Sequence, residues 1–252
     1  MIRNLAYLGI ALAFQALGDR DTAQRAYERR DFHKALREWQ ELAKAGDAEA
    51  EFKLGSMYEK GEGTQRDLRQ AVRWYWKSAY QGFGQSQSSL GMLYAAGRGV
   101  PKDNIQAHFW LSLASRNGVA EAAKQCDALA PEMSSADMTE SQRLANNWEP
   151  AIEIHDKASA PVVVRHVSPD DETARLAGYS GAVMLDLIID SNGNPRDALV
   201  YQGISAEVNA RVVRAVLQWK FKPIQRNGRA ITVQTPVEFR FEHQPYKLDT
   251  GL

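Results

Sequence analysis

The sequence predicts a multidomain protein: an all-α helical-repeat solenoid followed by a small α+β domain of strand–strand–helix–strand (ββαβ) order. Three observations carry this. A glycine-punctuated pattern recurs at a spacing of 36 residues in the first half. Beyond Gly181, apolar residues stop recurring every three or four positions and begin to alternate. Two Asn-Gly dipeptides, at 192–193 and 227–228, stand where alternating segments turn back.

The chain has 252 residues, 44% apolar and 25% charged, an ordinary balance for a globular protein long enough for two cores. Its 31 basic and 31 acidic residues cancel, so no global field favours nucleic acid. A local basic cluster, Lys220, Lys222, Arg226 and Arg229, reads as a solvated face. The single cysteine, Cys126, excludes an intramolecular disulfide framework.

At the N-terminus, Arg3 precedes a mostly apolar run from Leu5 to Leu17, with small residues Ala16 and Gly18 before charged Asp19. Such a run spans about 20 Å as a helix, short of the roughly 30 Å hydrocarbon core. Residues 1–18 are therefore expected to be a processed export signal, and the protein periplasmic. The alternative is an inner-membrane anchor facing the periplasm.

The period is read by subtraction. Leu54, Gly55, Tyr58, Gly61, Gly63, Asp67, Ala71, Trp74 and Gly82 are matched 36 positions later by Leu90, Gly91, Tyr94, Gly97, Gly99, Asp103, Ala107, Trp110 and Gly118. Asp31, Ala35, Ala43 and Gly46 mark a degenerate earlier unit. Stacked helix-turn-helix units follow from such a period. A phosphate cradle is made once in a chain, whereas this pattern is made twice, so the glycines turn the backbone between helices. Gly55, inside a helix, predicts a close helix crossing. Asp67 and Asp103, each followed three residues later by glutamine, predict helix N-caps. Leu90–Gly118 closely resembles the Sel-like repeat family, relatives of tetratricopeptide repeats, and Leu54–Gly82 resembles it nearly as well. The resemblance implies an α-solenoid, over 19–131, that binds proteins or peptides on a concave face.

Residues 132–160 read as a capping helix, with Thr139 and Gln142 as its capping box, and a linker bounded by Pro150 and Pro161. From Gly181, Val183, Leu185, Leu187 and Ile189 share one strand face, and the chain returns after Asn192-Gly193. Ser205 is expected to cap a helix whose apolar stripe is Val208, Val212, Ala215, Val216 and Trp219. The last strand alternates from Ile231 to Phe241. Pro236 cannot donate to a ladder, so this strand is expected at a sheet edge.

Residues 161–243 resemble the C-terminal domain of TonB-family energy transducers, through GYSGAVMLDLIIDSNGNPRDALV, AVLQWKFKP and NGRAITVQTPVEFRF in that order. Residues 244–252 are a tail. The resemblance implies a periplasmic domain that adds an extended segment of an outer-membrane transporter as a strand beside its last strand. Here that places the partner-binding edge at Ile231, Thr232, Val233, Gln234 and Thr235. The linker or a second copy of the domain is the alternative occupant of that edge, the latter making a homodimer.

The sequence departs from a full transducer in its short hydrophobic segment, its repeat domain in place of a proline-rich spacer, and the weak Ser168-Pro169 at the domain start. No catalytic constellation stands out. The five histidines (33, 108, 155, 166, 243) show no H-E-x-x-H, Gly178–Gly181 lacks the spacing of a nucleophile elbow, and Asp170-Asp171 lies in a polar turn. The expectation is a non-enzymatic adaptor for protein or extended-peptide partners, with no cofactor, no metal and no nucleic acid. The alternative is an energy transducer anchored by its N-terminal segment.

Overall fold

The structure, a computed structural model, describes residues 20–153, 161–169, 181–241 and 248–249. The expected export signal, Asp170-Asp171, Gly178–Ser180, His155 and His243 lie outside the described residues. The chain divides into two compact units, Met1–Trp148 and Glu149–Leu252.

In the first unit, helix α1 covers residues 20–28. It is followed by α2 (Phe32–Lys44), α3 (Ala48–Lys60), α4 (Leu68–Tyr80), α5 (Gly84–Ala96), α6 (Asn104–Arg116), α7 (Ala120–Leu129) and α8 (Ser135–Asn146). From α2 to α7 each helix packs on the next, and α8 returns onto α6. This is the stacked arrangement of a solenoid, whose cohesion is local to neighbouring units.

The 36-residue period is a period of contacts. Asp31, Asp67 and Asp103 each cap a helix, accepting from the N–H groups of Lys34, Gln70 and Gln106. The Asp67 N–H donates to the Tyr58 carbonyl at 2.9 Å, and the Asp103 N–H to that of Tyr94 at 3.1 Å. A Cβ on Gly55 would lie 2.6 Å from the Tyr75 ring, and one on Gly91 2.8 Å from Leu111, 36 residues beyond Tyr75. The close crossing expected at Gly55 is therefore present twice. Even the polar pairs recur with changed chemistry, each tying a half-buried or exposed amide to a buried acceptor: Gln81 Nε2 donates to Glu51 Oε2, and Asn117 Nδ2 donates to Gln87 Oε1, both at 2.8 Å.

Between these polar ties lies an apolar interior. Trp39, Leu54 and Met57 anchor one cluster, and Ala107, Leu111, Ala114, Ala122 and Leu129 another. Tyr80 and Trp110 meet edge to face with centroids 5.0 Å apart, an arrangement favoured by the aromatic quadrupole.

The capping box expected at Thr139 and Gln142 lies one turn earlier. Ser134 Oγ accepts from the Asp137 N–H while Asp137 reciprocates to the Ser134 N–H. Thr139 is inside the helix, its hydroxyl donating to the Ser135 carbonyl at 2.8 Å. Both sites offer an acceptor-x-x-polar spacing, and the helix begins at the first.

His108 on α6 is buried, with Nδ1 2.6 Å from Ser141 Oγ on α8. Cys126, far from any histidine in sequence, reaches the His108 carbonyl at 3.9 Å. Burial pushes the His108 imidazole below its ordinary value and the Cys126 thiol above its own. Below about pH 6.5 the unfolded histidine takes a proton that the folded one refuses. This unit should lose stability as pH falls from about 7.5 through 6.5 and below. His108→Gln should flatten that slope in thermal melts, and parallel slopes in the two proteins would contradict it.

The second unit begins with β1 (Ile152–Glu153) and β2 (Val163–Arg165), then β3 (Gly181–Ile189) and β4 (Pro195–Gln202). Helix α9 (Ala206–Val216) follows, then β5 (Lys220–Phe221), β6 (Gln225–Arg226), β7 (Arg229–Ala230), β8 (Val233–Phe241) and β9 (Leu248–Asp249). The main sheet runs β1-β8-β3-β4, with β9 also paired to β8. The β3–β4 turn is held by Asp190 Oδ1, which accepts from the N–H groups of Asn192 and Asn194. At Asn227-Gly228 both residues have positive φ, 54° and 75°, as the two-residue hairpin turn of β6–β7 requires.

Ser205 Oγ caps α9 by accepting from the Val208 N–H at 3.2 Å. Val208, Val212 and Val216 then bury against Val183, Leu185, Leu187 and Ile189 of β3 and Val233, Val237 and Phe239 of β8. Trp219 closes this core. Its ring meets those of Phe221 and Phe239 at 5.9 and 5.5 Å, and its Nε1 donates to the Val167 carbonyl at 2.8 Å.

Candidate partner-binding edge

Strand β8 forms because its residues alternate between the core and the opposite sheet face. Val233, Val237, Phe239 and Phe241 enter the core, and β8 runs antiparallel to β3 in unbroken register from Gly181↔Phe241 to Ile189↔Val233. One side of its backbone is thus committed to β3. The other side is the expected docking edge.

That edge is not open along its length. Residues of the segment read as linker form β1, which pairs parallel to β8 with Ile152 opposite Val233 and Glu153 opposite Gln234. Residues of the segment read as tail form β9, antiparallel, with Leu248 opposite Phe239 and Asp249 opposite Glu238. The expectation that β8 is the sheet edge is therefore corrected: it has short strands on its outer side at both ends. The physical reason is the usual one, since a bare edge is a template for unwanted pairing and chains cover it.

Pro236 opposes Asp186 and falls between the two short pairings. A proline lacks the N–H, so the β3 ladder loses nothing when residue 236 turns its backbone outward. By alternation, Gln234 and Glu238, the residues opposed by β1 and β9, then face the same outer way.

The five residues expected to form the edge stay together, but their environments differ. Ile231 is half-buried against the core, its N–H donating to the Ile224 carbonyl at 3.0 Å. Thr232 is buried, and its hydroxyl donates to Glu149 Oε2 at 3.2 Å. Val233 is core. Thr235, in line with Val233 and Val237, is buried at 2% exposure as alternation expects, whereas Gln234, on the alternate face read as outward, is only 1% exposed. Among the described residues, Gln234 Nε2 and Thr235 Oγ1 are buried with no hydrogen-bond partner.

Sequence reasoning missed Glu149, Ile152–Glu153 and Leu248–Asp249 as parts of this edge. A signal for the first segment was present: Ile152-Glu153-Ile154 alternates β-branched and acidic residues inside an otherwise polar linker. Nothing comparable marks the tail.

The repeat unit offers other concavities. An apolar groove of about 350 Å³ is lined by Met92, Ala95, Ala96, Leu111, Ala128 and Leu129 with Gln125 and Glu132. No helix among the described residues is long and apolar enough to cross a membrane.

Comparison with known families agrees with both halves. The Sel1 repeat matches residues 48–83 and 84–119, and the Gram-negative bacterial TonB protein C-terminal matches residues 172–242. Helical repeats followed by an α+β domain of the TonB C-terminal kind define the class, and the two matches together indicate a role in protein interaction.

Among solved structures, the chain is similar to c5321, a protective antigen present in uropathogenic Escherichia coli strains displaying an SLR fold. That likeness has 25% identity and a TM-score of 0.51, and it covers 53% of this chain and 29% of that one. A Sel1 repeat protein from Oxalobacter formigenes matches at 32% identity and TM-score 0.37, over 37% of this chain and 39% of that one. Helicobacter pylori cysteine rich protein B matches at 27% and 0.35, over 36% and 68%. The chain thus spans less than a third of the length of c5321. No curated protein matches it.

Proposed function

We propose that the protein is a non-catalytic, exported adaptor of the Gram-negative envelope. Its repeat unit is a protein-binding scaffold, and its C-terminal unit takes extended segments of partner proteins by strand addition along β8. The observation that carries this reading is the outer side of β8, where short segments already add as strands at Val233–Gln234 and Glu238–Phe239. Strand addition draws affinity from main-chain hydrogen bonds and specificity from the places alternate side chains occupy.

The test is photo-cross-linking in a Gram-negative host, with the activatable side chain at Arg240, which is exposed on β8. Gln234→Pro removes the N–H that alternation aims outward. It should lower the yield of cross-link to extended envelope-protein segments about tenfold, equivalent to about 1.4 kcal/mol. A cross-linker at Arg37 on α2 should be unaffected. An unchanged yield from Arg240 in a folded Gln234→Pro protein would overturn strand addition as the mode of binding.

A further inference from the structure

Four facts meet at one end of β8. Ile152–Glu153 occupies the outer side of Val233–Gln234, running parallel. Glu149, three residues ahead of this pairing, places a carboxylate oxygen 3.2 Å from the hydroxyl of Thr232, the residue just before β8. The pairing is two residues long, and so is the β9 pairing at the other end. Gln234 Nε2 and Thr235 Oγ1 remain buried without a partner among the described residues.

We propose that Glu149–Glu153 is a built-in stand-in for the partner, which holds the β8 edge closed until a longer segment displaces it. This rests on the reading of β8 as the docking edge. It adds that the edge is self-inhibited, and it states the chemistry of what opens it. The incoming segment is extended and runs parallel to β8. It carries a carboxylate about three residues before its pairing residues, to replace Glu149 on Thr232. It also presents an acceptor to the Gln234 amide.

The balance favours displacement. A two-residue strand contributes few main-chain hydrogen bonds, each with a modest net value. A buried donor without a partner, as Gln234 Nε2 is among the described residues, is costly, and native structures hold few such donors. A segment long enough to run from Val233 past Pro236 to Phe239 would replace β1 and β9 together. The cover remains effective against weak or accidental partners because it is intramolecular, with an effective concentration in the millimolar range.

The probe is a synthetic peptide of this chain's own residues 149–155, EPAIEIH, titrated against the full-length protein. It is also titrated against two full-length variants, one in which β1 is blocked, Ile152→Pro/Glu153→Pro, and one in which it is weakened, Ile152→Gly/Glu153→Gly. Hydrogen exchange is followed at Gln234. In the wild-type protein this amide should be protected and the peptide should bind weakly. In either folded variant the amide should exchange faster, peptide binding should tighten at least threefold, and added peptide should restore protection. Equal binding to wild type and variants, or no change in Gln234 protection, would overturn the self-inhibition. It would leave strand addition standing, since the Arg240 cross-link reports on that separately.

Discussion

Trp219→Ala is expected to destabilise the C-terminal unit by about 3–5 kcal/mol, the range for deleting a fully buried large aromatic. Trp219 is 3% exposed and is the ring against which Phe221, Phe239 and His166 all pack. Its removal leaves a cavity at the junction of α9, β5 and β8, and it strips the Val167 carbonyl of its donor. A domain's whole stability is typically about 5–15 kcal/mol, so this loss should bring the unit close to unfolding at ambient temperature. Urea titration followed by near-ultraviolet circular dichroism reads the effect. A loss below about 1 kcal/mol would mean that the aromatic cluster does not hold the sheet to the helix.

Gly99→Val should unfold the loop between α5 and α6, at a cost of about 3 kcal/mol or more. Two effects combine there. Gly99 has φ +78°, a conformation that β-branched residues avoid, and a Cβ would lie 2.6 Å from the carbonyl oxygen of Leu68. That oxygen belongs to the first turn of α4 and cannot move without disturbing the helix. Gly63 stands in the same relation to the Phe32 carbonyl at the start of α2. Gly118 separates the two effects, since it has φ +85° but nothing within 4 Å of a Cβ. Gly118→Ala should therefore cost only the conformational part, about 1–2 kcal/mol. Equal melting temperatures for Gly99→Val and the parent, combined with loss of nucleotide or phosphate binding, would return these glycines to the phosphate-cradle reading.

Most of the fold was legible because its signals are local or strictly periodic. Aspartates 67 and 103 announced two caps, and the 36-residue spacing announced that helices would meet the same neighbours again. The alternation from Val183 and from Ile231 gave two strands and their inward faces. The capping box of α8 was misplaced because Thr139-x-x-Gln142 and Ser134-x-x-Asp137 compete on equal local terms, and only the surrounding packing chooses. At the candidate site the strand itself was legible, but its cover was not. The alternation at Ile152-Glu153-Ile154 is too short to separate a strand from linker, two residues of a tail leave no pattern, and sequence alone does not say which strand either will join. Nor did the alternation of β8 foretell that Thr232 and Gln234 would be buried, since a one-sided pattern assumes that the second face meets water.

The matched contacts of the repeat unit act as a ruler. Phe32 and Leu68, Glu51 and Gln87, Tyr75 and Leu111, and Gln81 and Asn117 occupy equivalent places one graduation apart. Length in this unit is therefore quantised. A duplicated block of 36 residues beginning at Ala48 presents its neighbours with the same caps, crossings and polar ties, whereas an insertion of one or two residues inside a helix rotates that helix's later contacts out of place. Such a chain can be lengthened by copying, and each copy can then change its side chains independently, as the exchange of glutamine–glutamate for asparagine–glutamine already shows.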